Sequence, residues 1–119
     1  MKMSFGSEFL VALSESHKTG VLSEFLNDNI SSDATWTSLT KSSLDKQLRN
    51  KDEWLDFVIN SKNYHNYDNS KGYHNFEILY ENDEIIVWRG WDDLDAWLAI
   101  YELEDGKVIR ARHARGTKG

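Results

Sequence analysis

The 119-residue sequence contains no cysteine and no proline. Without cysteine it has no disulfide framework, no thiol nucleophile and no cysteine-ligated zinc or iron–sulfur centre, and either redox environment suits it. Glycine is sparse, with seven residues. None falls in the spacing of a phosphate-cradling loop, a nucleophile elbow or a dinucleotide fingerprint. No apolar run approaches the ~18 residues that a membrane span needs. The opening Met1-Lys2-Met3-Ser4-Phe5-Gly6 does not lead into a signal-peptide core, because Glu8 and Glu15 interrupt it. The expectation is one domain over residues 1–119, large enough for a single core, in the cytoplasm.

A basic surplus is missing as well. Fourteen Lys and Arg against 20 Asp and Glu leave a net charge of −6. A nucleic-acid binder carries the opposite balance, since neutralising phosphates dominates its affinity. Basic residues gather only at Lys107, Arg110, Arg112, Arg115 and Lys118, and acidic ones crowd positions 81–105. Paired strands would set these charges opposite one another. Neither nucleic acid nor a membrane is expected as a partner.

What the chain does contain is a change of period midway. Phe9, Leu10 and Leu13, then Leu22, Phe25 and Leu26, recur at helical spacing over 7–28, with Ser7 as cap and Gly20 as interruption. Asn27-Asp28-Asn29 ends this region, because these side chains compete for backbone hydrogen bonds. A short strand is expected at 35–39. A helix follows over about 50–61, where Asn50 and Glu53 have capping-box spacing and Trp54, Leu55, Val58 and Ile59 share a face. Leu44 and Leu48 allow a forward extension over 42–49. Residues 63–75 are polar, aromatic and turn-rich, and read as loop.

From Phe76 the period becomes two. Strands are expected over 76–80, 84–91, 96–103 and 107–114, with turns at Asn82-Asp83 and Asp105-Gly106, the latter a strong two-residue hairpin signal. The third strand is apolar on both faces: Trp97, Ala99 and Tyr101 on one, Leu98 and Ile100 on the other. One face should meet the helices and the other a second subunit.

Helices, a short strand, a helix and then an antiparallel meander: this order resembles the nuclear transport factor two-like superfamily, and within it the SnoaL-like group. The resemblance is carried by Phe9 to Leu13 with Leu22 to Leu26, by Asp33-Ala34-Thr35-Trp36, and by Glu102-Leu103-Glu104-Asp105-Gly106-Lys107-Val108. It implies an α+β fold in which a cone-shaped, curved antiparallel sheet wraps around N-terminal helices, the cystatin-like roll. It also implies a pocket for small, often apolar molecules, in a family where some members have no chemistry at all. Known chemistries transfer poorly. Phe9 stands where steroid-isomerase-like members have a tyrosine, and Ser38 where they have a base. His113 stands where limonene-epoxide-hydrolase-like members have an aspartate, and Glu84 and Ile86 fall nearest their upstream Arg–Asp pair.

His113 is the foremost candidate. By strand parity it shares a face with Ile109 and Ala111, opposite to Val108, Arg110 and Arg112. An imidazole facing a cavity can give or take a proton near neutral pH. A hydrogen bond that only holds the strand is the plainer alternative. Tyr101 would donate a hydrogen bond beside it. Trp36, Trp54, Trp88, Trp97 and Phe9 are the candidate ligand-binding rings, with Tyr80 and Trp91 adding to the aromatic content, although such rings equally fill a small core. His65, Asp68 and His74 lack a recognised metal spacing, so no metal and no cofactor is expected. Asp92, Asp93 and Asp95 read as solvated turn carboxylates. Arg89 would pair across the sheet or reach a ligand carboxylate. Two functions stay open. One is a small-molecule-binding protein for an apolar or carboxylate-bearing molecule, with or without isomerase, hydratase or hydrolase activity at His113. The other is a non-catalytic, homodimeric or partner-binding assembly module.

Overall fold

A computed structural model describes residues 3–40, 48–60, 75–91 and 95–117. Helix α1 spans Phe5–Thr19. Its cap is Ser4, whose Oγ accepts from the Ser7 N–H at 3.1 Å, so the helix starts earlier than the cap expected at Ser7. Apolar residues at helical spacing turn Phe9, Leu10 and Leu13 inward, and the buried stripe continues through Ser16 and His17. Gly20 ends the helix at φ 72°, a left-handed conformation that suits glycine, and its N–H returns to the Ser16 carbonyl at 2.9 Å. Helix α2, Glu24–Asn29, runs directly into strand β1, Ile30–Ser38. That strand begins five residues before the expected one. Lys51 holds the junction, its Nζ donating to the carbonyls of Asn27 and Ile30, both at 2.8 Å.

Strand β2, Leu48–Asn50, precedes helix α3, Lys51–Ile59. The capping box is formed as expected: the Glu53 N–H donates to Asn50 Oδ1 at 2.9 Å and the Asn50 N–H donates to Glu53 Oε1 at 3.1 Å. No helix extends forward of it over 48–50, because pairing with β1 claims that backbone. The rest of that extension, 42–47, lies outside the described residues, as do 63–74 of the expected loop.

Strands β3 (Asn75–Glu81), β4 (Ile85–Trp91), β5 (Asp95–Glu104) and β6 (Lys107–Thr117) form the meander. The turn between β5 and β6 has φ 53° at Asp105 and φ 76° at Gly106, the positive pair of a tight hairpin. The sheet is curved and unclosed, in the order β2-β1-β6-β5-β4-β3, and antiparallel except where β1 lies parallel to β6. The architecture is α+β, with the helices against the concave face.

Register decides what faces the helices. One inward row runs Arg49, Trp36, Ala111, Tyr101, Ile86, and the next runs Ser38, His113, Ala99, Trp88, Ile78. The sequence parity fails at two places. A bulge between Glu102 and Leu103 pairs Leu103 with Val108 and leaves Ile109 over, so the buried Val108, and not Ile109, shares the inner face with Ala111 and His113. A second shift between Ile78 and Tyr80 turns Tyr80 outward, 57% exposed, which removes it from any lining. The charges do meet across the sheet. Glu102 pairs with Arg110 at 3.3 Å and with Arg112, and Arg89 pairs with Glu77 at 3.4 Å.

Candidate functional site

α1 and β6 meet at two imidazoles. His17 extends the stripe of Phe9 and Leu13 by one more turn and is 7% exposed. His113 lies in the inward row between Ser38 and Ala99. The missing bulk at Ala99 leaves room for the imidazole, whose ring sits 5.6 Å from that of Trp36 and 6.3 Å from that of Trp97. Between them is a cavity of about 60 Å³. Leu13 and His17 close it from α1, and Trp54, Phe57 and Val58 from α3. From the sheet come Trp36, Ser38, Trp88, Tyr101, His113 and Arg115. A space of that size, with polar groups on its wall, has room for ordered water or a small polar group.

The electrostatics follow from burial. Removal from water, joined by a smaller push from the charge His113 can carry, takes the His17 imidazole down to about 4. His17 is therefore neutral at neutral pH. Burial also raises the Tyr101 phenol far above its ordinary value, against the opposing hydrogen bond from Trp88. Tyr101 thus stays an un-ionised donor. It is held edge-on by three rings, Phe9, Trp54 and Trp88, with centroids at 5.5, 5.8 and 5.8 Å. The Ser38 hydroxyl donates to the Thr40 carbonyl at 2.8 Å, which leaves it no role as a base. At the β2 end the buried Arg49 guanidinium lies 4.9 Å over Trp36 and 4.3 Å over Phe57.

Five of the residues singled out in the sequence come together around the cavity: His113, Tyr101, Trp36, Trp54 and Trp88. Phe9 does not. It is fully buried between Phe5 and Tyr101 and acts as core. Trp97 touches the His113 ring but lines a different space, an open groove of about 610 Å³ at the end of β4, β5 and β6. Trp91, Leu98 and Arg115 border the same groove, so Arg115 faces both spaces. His65, Asp68, His74, Asp92 and Asp93 lie outside the described residues, as does the side chain of Asp95. Among the described residues no three of His, Asp and Glu cluster as metal ligands. Sequence reasoning missed His17 and Arg49. The signal for His17 was present, since it follows Phe9 and Leu13 at four-residue steps. Arg49 gave none, because its segment also reads as helix.

The sequence matches no family model and no curated protein. Solved structures do match. A candidate isomerase from Rhodopseudomonas palustris superposes with a TM-score of 0.67 at 12% identity, over 98% of this chain and 93% of that one. A nuclear transport factor two-like protein from Anabaena variabilis gives 0.66 at 14% identity, over 97% and 89%. A candidate SnoaL-like polyketide cyclase from Mesorhizobium loti gives 0.59 at 14% identity, over 93% and 98%. The chain has the nuclear transport factor two-like fold, in the form that SnoaL-like polyketide cyclases also take. Among the described residues no helix is long and apolar enough to cross a membrane.

Proposed function

We propose that the chain is a small-molecule-binding protein of the cytoplasm that moves a proton on its ligand, an isomerase-type activity centred on His113. One observation carries this reading: an imidazole and a phenol that stays un-ionised converge on a single cavity walled by tryptophans. His113 takes a proton from a carbon beside a carbonyl. The Tyr101 hydroxyl donates to the carbonyl oxygen as negative charge develops there, and the protonated His113 returns the proton to a second carbon. The tryptophan walls keep water from intercepting the intermediate. His17, neutral and lining the same cavity, is the second imidazole of the site. The similarity to an isomerase and a polyketide cyclase in fold agrees with this but does not assign it.

A thermal-shift screen against small ketones and carboxylic acids selects the ligand, since binding to the folded state raises the melting point. Proton NMR in deuterium oxide then follows deuterium entering that ligand. Wild-type protein should catalyse the exchange, and His113→Ala should slow it by about a hundredfold, the usual contribution of a positioned acid or base. Unchanged exchange in the variant ends the proposal for His113.

The outer sheet face favours a second reading, assembly into a homodimer. There Leu98 is 44% exposed and neighbours Ile100, Val87 and Tyr80 in the outward rows. Sedimentation of wild type against Leu98→Asp tests it. A dimer that the aspartate splits supports an assembly face; a monomer in both cases removes it.

A further inference from the structure

We infer that His17 is the positioning residue of His113: across the cavity they share, its ring accepts a hydrogen bond from the His113 nitrogen that lies away from the ligand, and so leaves the other nitrogen as the base. This deepens the proton-transfer reading above, on which it rests, by giving the second imidazole of the site its task.

Geometry comes first. β6 holds His113 in an inward row, with Trp36 beside Ala111 in the row on one side and Trp97 beside Arg115 in the row on the other. The two indoles are inclined to the imidazole by 35° and 30°, with ring centres at 5.6 and 6.3 Å. The imidazole thus stands between them like a slat, and it makes its hydrogen bonds in its own plane, at the edge. Opposite, α1 carries His17 on the same buried stripe as Phe9 and Leu13, and both imidazoles line the one cavity of about 60 Å³. They also feel each other, since the charge His113 can carry bears on His17.

Chemistry follows from burial. A neutral imidazole has one N–H and one lone-pair nitrogen, and which nitrogen carries the hydrogen is set by the bond the other makes. His17 is neutral at neutral pH, so its lone-pair nitrogen is of the right kind to accept from an N–H of His113. That bond selects the tautomer in which the remaining His113 nitrogen is unprotonated and faces the ligand. When this nitrogen takes the proton from the ligand's carbon, the imidazolium keeps both of its protons, because His17 takes one only near pH 4. A carboxylate in the same place would bring a full charge into an apolar stripe, at a desolvation cost that a neutral ring avoids. The other polar groups facing the pair, among the described lining residues, are Ser38 from β1, Tyr101 from β5 and Arg115 from β6; α3 and β4 present aromatic and aliphatic side chains. Arg115, with donors only, cannot do the accepting.

Nitrogen-15 NMR of the imidazoles tests this on the protein alone. In the wild type, protonating His17 removes its acceptor, so the His113 signals should move a second time with a midpoint of about 4. In His17→Phe the His113 midpoint should fall by about one pH unit, a tenfold loss of proton affinity, as expected when a charged group loses a hydrogen bond. His17→Gln, whose amide oxygen can accept, should recover most of that fall. The acid limb of deuterium exchange on the ligand selected above should follow the His113 midpoint in each variant. A His113 midpoint that is unchanged or raised in His17→Phe overturns the assignment. So does a single inflection at His113 in the wild type, a result that needs no variant to fold. Exchange that ignores His113 while the two titrations stay coupled sinks the proton-transfer reading and leaves the imidazole pair standing.

Discussion

An imidazole set against Leu13 and the sheet tryptophans has little water to solvate a proton, and His113 beside it adds repulsion once charged. His17 accordingly titrates at about 4 in the folded chain, against 6.5 for an ordinary imidazole. Between those values the unfolded chain holds a proton that the native state refuses, so stability rises with pH across that window. The contribution is complete above pH 6.5 and is lost as pH falls toward 4, a change of about 3 kcal/mol. Urea unfolding of wild type and His17→Gln at a series of pH values checks this. The wild type should lose that much more stability than the variant on acidification, and parallel curves would refute the burial argument. Of the two imidazoles only His113 was legible in the sequence, because alternation in β6 pointed it inward. His17 sits on an equally regular stripe, but a histidine near a helix end also suits the macrodipole, so its spacing carried no unique message.

Strands and caps were readable where their signals are local. Asn50 and Glu53 satisfy each other three residues apart, and Asp105-Gly106 accepts the positive φ angles of its turn. The misses are non-local. Leu48–Asn50 is a strand only because β1 offers it a partner, and the Ile109 bulge follows from how β5 and β6 twist together. The same pairing explains Gly90. It faces Trp97 across β4 and β5, and a Cβ added there would stand 2.5 Å from the indole. Gly90→Ala should therefore cost roughly 1–3 kcal/mol through overpacking. In a Trp97→Ala background the same change should cost almost nothing, because the clashing ring has gone. Equal losses in both backgrounds would place the strain elsewhere.

At the scale of the molecule, β6 is late in the chain yet central in the sheet, between β1 and β5. The β5–β6 hairpin closes locally, whereas β1 pairs with β6 across most of the sequence, joining Ile30 to Val108. Local closure precedes distant pairing because loop entropy opposes the latter. Gly106→Ala, forced into φ 76°, should thus act mainly by slowing folding. Asn50→Ala, which costs about 1 kcal/mol of cap, should act mainly by speeding unfolding. Stopped-flow chevrons distinguish the limbs, and the reverse assignment would mean that α3 and β1 dock before the hairpin forms. The parallel β1–β6 pair has a mechanical side too. If the chain is drawn apart at the start of β1 and the end of β6, the two strands are pulled past each other lengthwise. Their hydrogen bonds, which lie across the strands, then bear the load together instead of opening one after another. The His113 strand, clamped between β1 and β5, is thus loaded in its most resistant direction, while α1 and α2, which precede β1, stay outside the loaded path.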